Sequence, residues 1–253
     1  PEESSGADDL TWPEQRSGPF GFLKLEATRS LGSNAGIRFA GYFSWMNLEY
    51  EIIDRSFDQR ERSYYGELIY DHSFFAGNGI FTGGVAYRKT DVRNAPIWES
   101  YFPDYVAQKK TTLLPLYALE DYDDQLWSLF GQYTHKVGDF DFSLGLRNDD
   151  HSQYQDALSY NVGVVWTPSS EWMFKALYGT AYRTPFARQL LGDEKPELEE
   201  IETLNLQIGW KPSERYGVNA GGFASKIRNH IMEDPYAGLS EPNHQEIYGV
   251  ELN

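Results

Sequence analysis

Strict two-residue alternation of apolar with polar or small residues is the feature that most limits how this chain can fold. It is clearest in the second half of the chain, at residues 140–146, 158–166, 172–182 and 204–210. Successive side chains of a strand point to opposite faces of a sheet, so each run places an apolar row on one face. Weaker runs bring the total to about eleven strands, and no helical period is sustained. The sequence therefore predicts an all-β, antiparallel, up-and-down fold.

The connections between the predicted strands alternate between short and long. The long ones fall at residues 51–61, 91–123, 148–156, 184–200 and 229–243. Alternate connections of a meander lie at opposite ends of the sheet, so one end carries only tight turns. Transmembrane β-barrels of the bacterial outer membrane sort their connections in this way. The sorting therefore favours a barrel that crosses a membrane with its strands.

Charge and aromatic residues follow the same division between the two ends. The net charge is −16. The whole of it is carried by residues 1–18 and by the long connections, when these are counted as residues 51–62, 92–123, 148–156, 184–200 and 229–243. Trp166, Trp172 and Trp210 lie beside the tight turns on the apolar rows. Indole and phenol rings prefer the level of the lipid headgroups. We therefore expect an aromatic belt near the tight turns, with the apolar rows pointing outward into lipid.

Composition and motifs exclude several classes of function. The acidic excess argues against a nucleic-acid partner, and the lack of cysteine removes thiolate chemistry. No catalytic motif is present, so we expect neither an enzyme nor a cofactor. Asn148-Asp149-Asp150-His151 is the only run that suggests a metal site, but its spacing matches no EF-hand. It is typical of a solvated loop, and we expect no metal.

Three segments resemble landmarks of the TonB-dependent outer-membrane receptor family. The first is the box Tyr182-Arg183-Thr184-Pro185 at the end of a strand, and the second is Pro196-Glu197-Leu198 with the strand after it. The third is a predicted strand pair that ends in Gly249-Val250-Glu251-Leu252. Their order and spacing match the family. Lys195 stands where the family usually has Asn, and the segment after Leu198 is about two residues short.

The resemblance implies a barrel of about 22 strands with an N-terminal plug domain inside it. Residues 1–253 would then be a partial barrel domain, without the plug and without the C-terminal strands. The implied function is TonB-energised uptake of a scarce ligand, most often an iron–siderophore complex, across the outer membrane of a Gram-negative bacterium. The implied partners are that ligand, the TonB complex through the plug, and outer-membrane lipid and lipopolysaccharide. Residues 187–193 contain no His, which argues against haem as the ligand.

Candidate ligand-binding residues come from one long connection and from the polar rows. Exposed aromatic rings can hold a ligand by stacking or by cation–π contact, and basic residues on the polar rows would face the lumen. The aromatic candidates are Trp98, Tyr101, Phe102, Tyr105 and Tyr117. The basic candidates are Arg147, Lys175 and Arg183.

Two other readings of the same patterns remain open. A passive porin-like channel would share the sorted connections and the outward apolar rows. A soluble β-barrel or sandwich that binds a ligand would instead enclose the apolar rows in one core. The direction of Phe142, Leu144, Val162, Val164 and Ile208 separates the membrane reading from the soluble one.

Overall fold

The computed structural model describes residues 14–52, 55–98, 117–184, 197–230, 233–234, 238–239 and 243–252. Two groups of strands form one sheet. The long strands, of 17 to 21 residues, are β1 (Glu14–Ser30), β2 (Ala35–Ile52), β3 (Arg55–Phe74), β4 (Gly79–Trp98) and β5 (Tyr117–Val137). The shorter strands, of 10 to 15 residues, are β6 (Phe140–His151), β7 (Ala157–Ser169), β8 (Trp172–Arg183), β9 (Glu199–Ser213), β10 (Tyr216–His230) and β13 (Asn243–Leu252).

Each strand of this sheet pairs with its neighbour in the chain, in the order β1 to β10 and then β13. All of these pairings are antiparallel. A small hairpin, β11 (Glu233–Asp234) and β12 (Gly238–Leu239), stands in the last long connection. The expected meander of about eleven strands is confirmed. The sheet is not closed, and β1 and β13 form its two edges.

Helical structure is slight in the described residues. One 3-10 turn, Phe75–Gly77, joins β3 to β4. Among the described residues, no helix is both long and apolar enough to cross a membrane.

The two faces of the sheet differ sharply in chemistry and in burial. One face, called here the apolar face, carries Phe142, Leu144, Val162 and Ile208, which are 46–50% exposed. The other, called the polar face, carries the buried Ser128, Asp149 and His151. A water-soluble sheet buries its apolar face and exposes its polar one. Here the apolar face is exposed instead, and Val164, beside Val162, is only half-buried. This contradicts the soluble alternative, which requires these residues to be enclosed in one core.

Rings on the apolar face form a continuous belt at the end of the sheet that carries the tight turns. Ring centroids lie 5.7 Å apart between Phe140 and Trp166, and 5.2 Å apart between Trp166 and Phe174. Trp172 lies 5.9 Å from Phe174 and 5.9 Å from Trp210. The three tryptophans, on β7, β8 and β9, therefore lie at one level, as expected. The other end of the apolar face has rings too, with Tyr87 and Trp127 4.6 Å apart and Tyr160 and Tyr178 6.0 Å apart.

Two connections expected to be long are partly strand. The β2–β3 ladder continues to the pair Ile52 and Arg55, and the β4–β5 ladder continues to the pair Trp98 and Tyr117. The described parts of the expected loops at 51–61 and 91–123 are therefore hairpin extensions. The outer face of these extensions carries charged side chains in place of apolar ones. The sequence there lacks the outward apolar row by which the other strands were recognised. A bulge between Val92 and Ala95 also shifts its phase.

Candidate functional site

A polar cluster lies on the polar face at the end opposite the aromatic belt, around the carboxylate of Asp149. Arg147 Nε donates to both oxygens of this carboxylate, at 3.0 and 2.8 Å. Arg147 Nη2 donates to Ser128 Oγ at 2.9 Å, and its guanidinium lies 5.9 Å from the ring centroid of Phe130. Asp149 is only 1% exposed, so its charge depends on these donors for compensation. The cluster joins β5 and β6 side by side.

Tyr182 extends the cluster from β6 to β8. The ladder between β7 and β8 does not continue beyond the pair Asn161 and Gly179. Beyond it, Tyr182 Oη donates to Asp149 Oδ2 at 2.7 Å and lies 3.0 Å from His151 Nε2. The rings of His151 and Tyr182 meet edge to face, at 88° and 5.7 Å. Side-chain bonds thus connect two strands where backbone bonds do not.

Apolar packing supports the tyrosine. Tyr154, Ala157 and Leu198 form a small buried cluster, and Tyr182 packs against it. Leu198 precedes β9 and is 4% exposed, so the segment leading into β9 is fixed to the same place. Asn229 Nδ2 also donates to the carbonyl oxygen of Leu198 at 3.2 Å. The start of β9 is therefore attached to β7, β8 and β10.

A second buried carboxylate lies on the same face. Asp124 of β5 is 6% exposed, and its Oδ2 accepts from Arg88 Nη2 at 3.3 Å. Both this pair and the Arg147–Asp149 pair are internal to the wall. Each of these two cations therefore has a carboxylate beside it.

The cluster lies beyond the apolar part of β6, at the level of Asn148 and Asp150. Burial and hydrogen bonding determine which of its groups are charged. Burial alone would raise the pKa of Asp149, but hydrogen bonds from Arg147, Ser128 and Tyr182 outweigh it and lower the pKa. Burial lowers the pKa of His151, so its imidazole is neutral at pH 7. Burial raises the pKa of Tyr182, as does its bond to Asp149, and burial raises the pKa of Tyr154 to about 12. The cluster therefore holds an ionised carboxylate among neutral rings, which suits attachment of strands better than proton transfer.

The basic candidates occupy polar-face positions but are not brought together. Arg147 belongs to the cluster above, and Arg183 Nη2 donates to Glu199 Oε2 at 2.7 Å. Lys175 lines an open cavity of about 340 Å³, far along β8 from the cluster. Asn205, Gln207, Asn219 and Glu251 also line this cavity. A role of these three residues in ligand binding stays a prediction.

The aromatic candidates lie at or beyond the ends of β4 and β5. Trp98 and Tyr117 are paired as the last residues of the β4–β5 ladder. Tyr101, Phe102 and Tyr105 lie outside the described residues. The hairpin extension thus brings the two ends of this segment together, and ligand binding by it also stays a prediction.

The residues that carry the family resemblance fall into two places. Tyr182 packs against the buried cluster that contains Leu198, which brings the first two segments to one place. Glu197 is exposed, Arg183 faces Glu199 in the ladder, and Pro185 and Pro196 lie outside the described residues. Gly249 pairs with Phe223, and a Cβ at Gly249 would overlap the ring of Phe223. Val250, Glu251 and Leu252 continue β13 with alternating faces.

The run Asn148-Asp149-Asp150-His151 is strand rather than a solvated loop. Asp149 and His151 point to the polar face and are buried, whereas Asp150 is exposed and pairs with Trp127. In the part of the chain that the structure describes, no group of three His, Cys, Asp or Glu side chains could hold a metal. In the sequence, the i, i+2 spacing of Asp149 and His151 indicates that the two side chains share a face of the strand. Nothing in the sequence indicates that Tyr182 bonds to both of them.

Comparison with known proteins gives one family model and a set of similar structures. The family model described as "TonB dependent receptor-like, beta-barrel" matches residues 5–253. The FrpB iron transporter from Neisseria meningitidis has a TM-score of 0.69 and 16% identity. The ferric enterobactin receptor PfeA from Pseudomonas aeruginosa has 0.71 and 12%, and the siderophore receptor PirA from the same species has 0.69 and 14%. Each alignment covers 92% of this chain but only 40–46% of the other.

Proposed function

The chain belongs to the TonB-dependent receptor β-barrel family, and on this premise we propose that it forms part of the barrel wall of an outer-membrane uptake receptor. Its polar face would then be the inner, lumenal face and its apolar face the outer, lipid-facing one. The chain spans about two fifths of the length of the structures it matches. The remaining strands and a plug domain would complete the receptor.

The reversed polarity of the two faces is the observation that carries this proposal. The apolar face exposes Phe142, Leu144, Val162 and Ile208, and aromatic rings lie at both of its ends. An apolar band between two aromatic girdles is the signature of a lipid-facing barrel wall. In water such a continuous apolar surface would drive aggregation. We therefore place the chain in the outer membrane of a Gram-negative bacterium.

The orientation follows from the connections. Outer-membrane barrels have short turns on the periplasmic side and longer loops outside the cell. The belt of Trp166, Trp172 and Trp210 would accordingly lie near the periplasm. The acidic long connections would face the medium and the anionic lipopolysaccharide.

Uptake would proceed without any covalent step in the wall. The long connections, including the aromatic segment from Trp98 to Tyr117, would capture the ligand at the outer face. A plug in the lumen would block passage until the TonB complex displaces it with energy from the inner membrane. The most fitting ligand is an iron–siderophore complex. Three of the similar structures are named as an iron transporter, a ferric enterobactin receptor and a siderophore receptor.

Uptake of radioactive iron by cells that carry the complete receptor tests this proposal. Cells would be supplied with 55Fe chelated by a panel of catecholate and hydroxamate siderophores. We expect uptake of at least one chelate to depend on the receptor, and to stop when TonB is deleted. A passive channel would give uptake that persists without TonB, and such a result would replace the proposal with the porin-like alternative.

A further inference from the structure

Two histidines lie on the apolar face of the sheet, toward the end that carries the tight turns, called here the lower end; the other end is the upper end. His72 of β3 is opposite Phe81 of β4, and His135 of β5 is opposite Gly79 of β4. Below the level of Tyr87, every other residue that β2 to β5 place on this face is apolar, aromatic or glycine. An ionisable side chain among such residues needs a polar partner, and its presence indicates a function.

The two imidazoles are held in the same way. Each histidine follows a tyrosine by two residues, and the phenol oxygen lies 2.9 Å from Nδ1 in the pair Tyr70 and His72 and 3.2 Å from it in the pair Tyr133 and His135. The rings of each pair stack, with centroids 6.0 and 5.8 Å apart. When the phenol donates to Nδ1, the imidazole proton lies on Nε2, which is then a donor. Within the described residues, neither Nε2 has an acceptor.

The tight turn between β3 and β4 connects the two pairs through phenylalanine rings. The centroid of Phe74 lies 4.2 Å from that of His72 and 6.3 Å from that of Phe75. The ring of Phe75 in turn meets that of His135 edge to face, at 5.4 Å. Phe75 and Ala76 have φ angles of 51° and 53°, a left-handed conformation that residues other than glycine rarely adopt. The resulting surface, called here the imidazole cluster, consists of Tyr70, His72, Phe74, Phe75, Tyr133 and His135.

The imidazole cluster continues the aromatic belt at the lower end of the sheet. His135 pairs with Phe142 of β6, and the ring of Phe142 stacks on that of Phe140 at 5.9 Å. Phe140 in turn stacks on Trp166 of the belt. Aromatic belts of membrane barrels lie at the level of the lipid headgroups. The two imidazoles therefore lie at that level as well.

A phospholipid supplies the acceptor that the sheet does not. The oxygens of its phosphodiester accept hydrogen bonds, and an N–H bond to an ionised acceptor is about twice as strong as one between neutral groups. The apolar residues above the cluster would contact the acyl chains of the same molecule. No carboxylate of β2 to β5 lies on the outer face at this level to compete for the two donors.

We propose that the imidazole cluster binds the phosphodiester of a phospholipid in the periplasmic leaflet of the outer membrane. The Nε2 atoms of His72 and His135 donate to phosphate oxygens, and Tyr70 and Tyr133 orient the two rings. The inference rests on the proposed function only in placing the apolar face in lipid. It adds a bound lipid on the outside of the wall, away from the transport path.

Two lipids that differ in the headgroup test the inference on the complete receptor. Dioleoylphosphatidylglycerol carries the phosphodiester, whereas monogalactosyl dioleoylglycerol has the same acyl chains and no phosphate. Native mass spectrometry of the receptor released from detergent micelles would measure the binding of each lipid. We expect tighter binding of phosphatidylglycerol. His72→Phe and His135→Phe, which keep a ring but remove the N–H donor, should each weaken that binding about 3- to 10-fold and leave binding of the galactolipid unchanged.

Two further variants separate loss of the donor from loss of the fold. His72→Gln keeps a side-chain N–H and should retain more phosphatidylglycerol binding than His72→Phe. His244→Phe is the matched control, because it makes the same substitution at an exposed histidine near the upper end of the sheet. It should leave the binding of both lipids unchanged. Barrel assembly of every variant would be checked by its electrophoretic mobility without heating.

Several results would overturn the lipid site. One is equal binding of the two lipids, and another is unchanged phosphatidylglycerol binding in both Phe variants. Displacement of the lipid by inorganic phosphate would assign the donors to a soluble anion, and a receptor dimer that both Phe variants abolish would assign the cluster to a contact between two copies. TonB-dependent 55Fe uptake is measured separately in cells. A receptor that takes up iron but shows no headgroup preference would therefore lose the lipid site and keep the proposed function.

Discussion

Tyr182 connects strands that the backbone ladder leaves apart. By register it shares a face with Tyr178 and Leu204, on the outer side of the sheet. Its hydroxyl nevertheless reaches Asp149 and His151 of β6, whose side chains belong to the inner side. The alternation of residues 172–182 predicted the strand and its outward row, but not this exception. Period-two patterns assign a face to a Cβ, whereas a long side chain at the end of a ladder can cross to the other face.

Replacing Tyr182 with Phe should lower the free energy of unfolding by about 1–3 kcal/mol, since the buried Asp149 carboxylate loses one of its donors. The ring and its packing against the buried cluster of Tyr154, Ala157 and Leu198 would remain. The measurement is urea unfolding of the complete receptor in lipid vesicles, followed by tryptophan fluorescence. Tyr216→Phe is the control, because Tyr216 is 72% exposed beside a tight turn. Equal stability of the two variants would mean that the hydroxyl of Tyr182 is not important for attachment of β8.

His151 should make stability depend on pH in the mildly acidic range. Burial lowers its pKa below the ordinary value of 6.5, so the unfolded chain binds a proton more readily than the folded one. This contribution to stability is complete above pH 6.5 and is lost progressively as the pH falls from there toward the lowered pKa. We expect the unfolding midpoint to drop over that range, and His151→Gln to reduce the drop. Replacing the exposed His244 with Gln is the control and should leave the pH profile of stability unchanged. If His151→Gln also gave the profile of the unsubstituted receptor, His151 would not be the source of the pH dependence.

The long strands β2 to β5 give one side of the sheet its height. Their upper parts have charged outer faces, as at Asp58, Arg60 and Arg93, so the sequence there reads as loop. The apolar residues that would reveal a strand, such as Met46 and Phe57, lie on the inner face instead. A search for one outward apolar row per strand therefore finds the lower part of each strand. It misses the upper part, where the outer face is charged and the inner face carries the apolar residues.

Shortening the β2–β3 hairpin should leave the barrel intact. Leu48 and Gln59 face each other in the ladder, so residues 49–58 can be removed and the two joined by Asn-Gly, which suits a two-residue hairpin turn. The removed residues lie beyond the apolar part of the sheet. They pair with each other and with the start of β1, and Asp58 also bonds to Arg60 and Asn94. We expect normal assembly in the outer membrane, measured as an unheated receptor band of normal yield. Failure to assemble would mean that the extension takes part in folding of the barrel.

At the scale of the whole molecule, the arrangement of polarity distinguishes a membrane wall from a soluble sheet. Alternation alone predicted the strands and their pairing order equally well for either. Sorted connections and the tryptophan belt favoured the membrane reading, and exposure of the apolar face agrees with it. The inner wall was less predictable, because Ser128 and Tyr182 reach Arg147, Asp149 and His151 of β6 from other strands. Small differences in strand stagger decide such contacts, and no short sequence pattern encodes them.

An arginine on the apolar face should be far more costly than one on the polar face. Leu144 lies midway along the apolar row of β6, between Phe140 and Asn148, and is 49% exposed. If this surface faces lipid, Leu144→Arg places a charge in the hydrocarbon and should destabilise the folded receptor by about 2–4 kcal/mol. Gln132→Arg is the control, because Gln132 is exposed on the polar face and pairs with Gly145, the residue after Leu144. Unfolding in phospholipid vesicles would give both values. A cost for Gln132→Arg equal to that for Leu144→Arg would mean that both faces meet the same solvent, which is incompatible with a membrane wall.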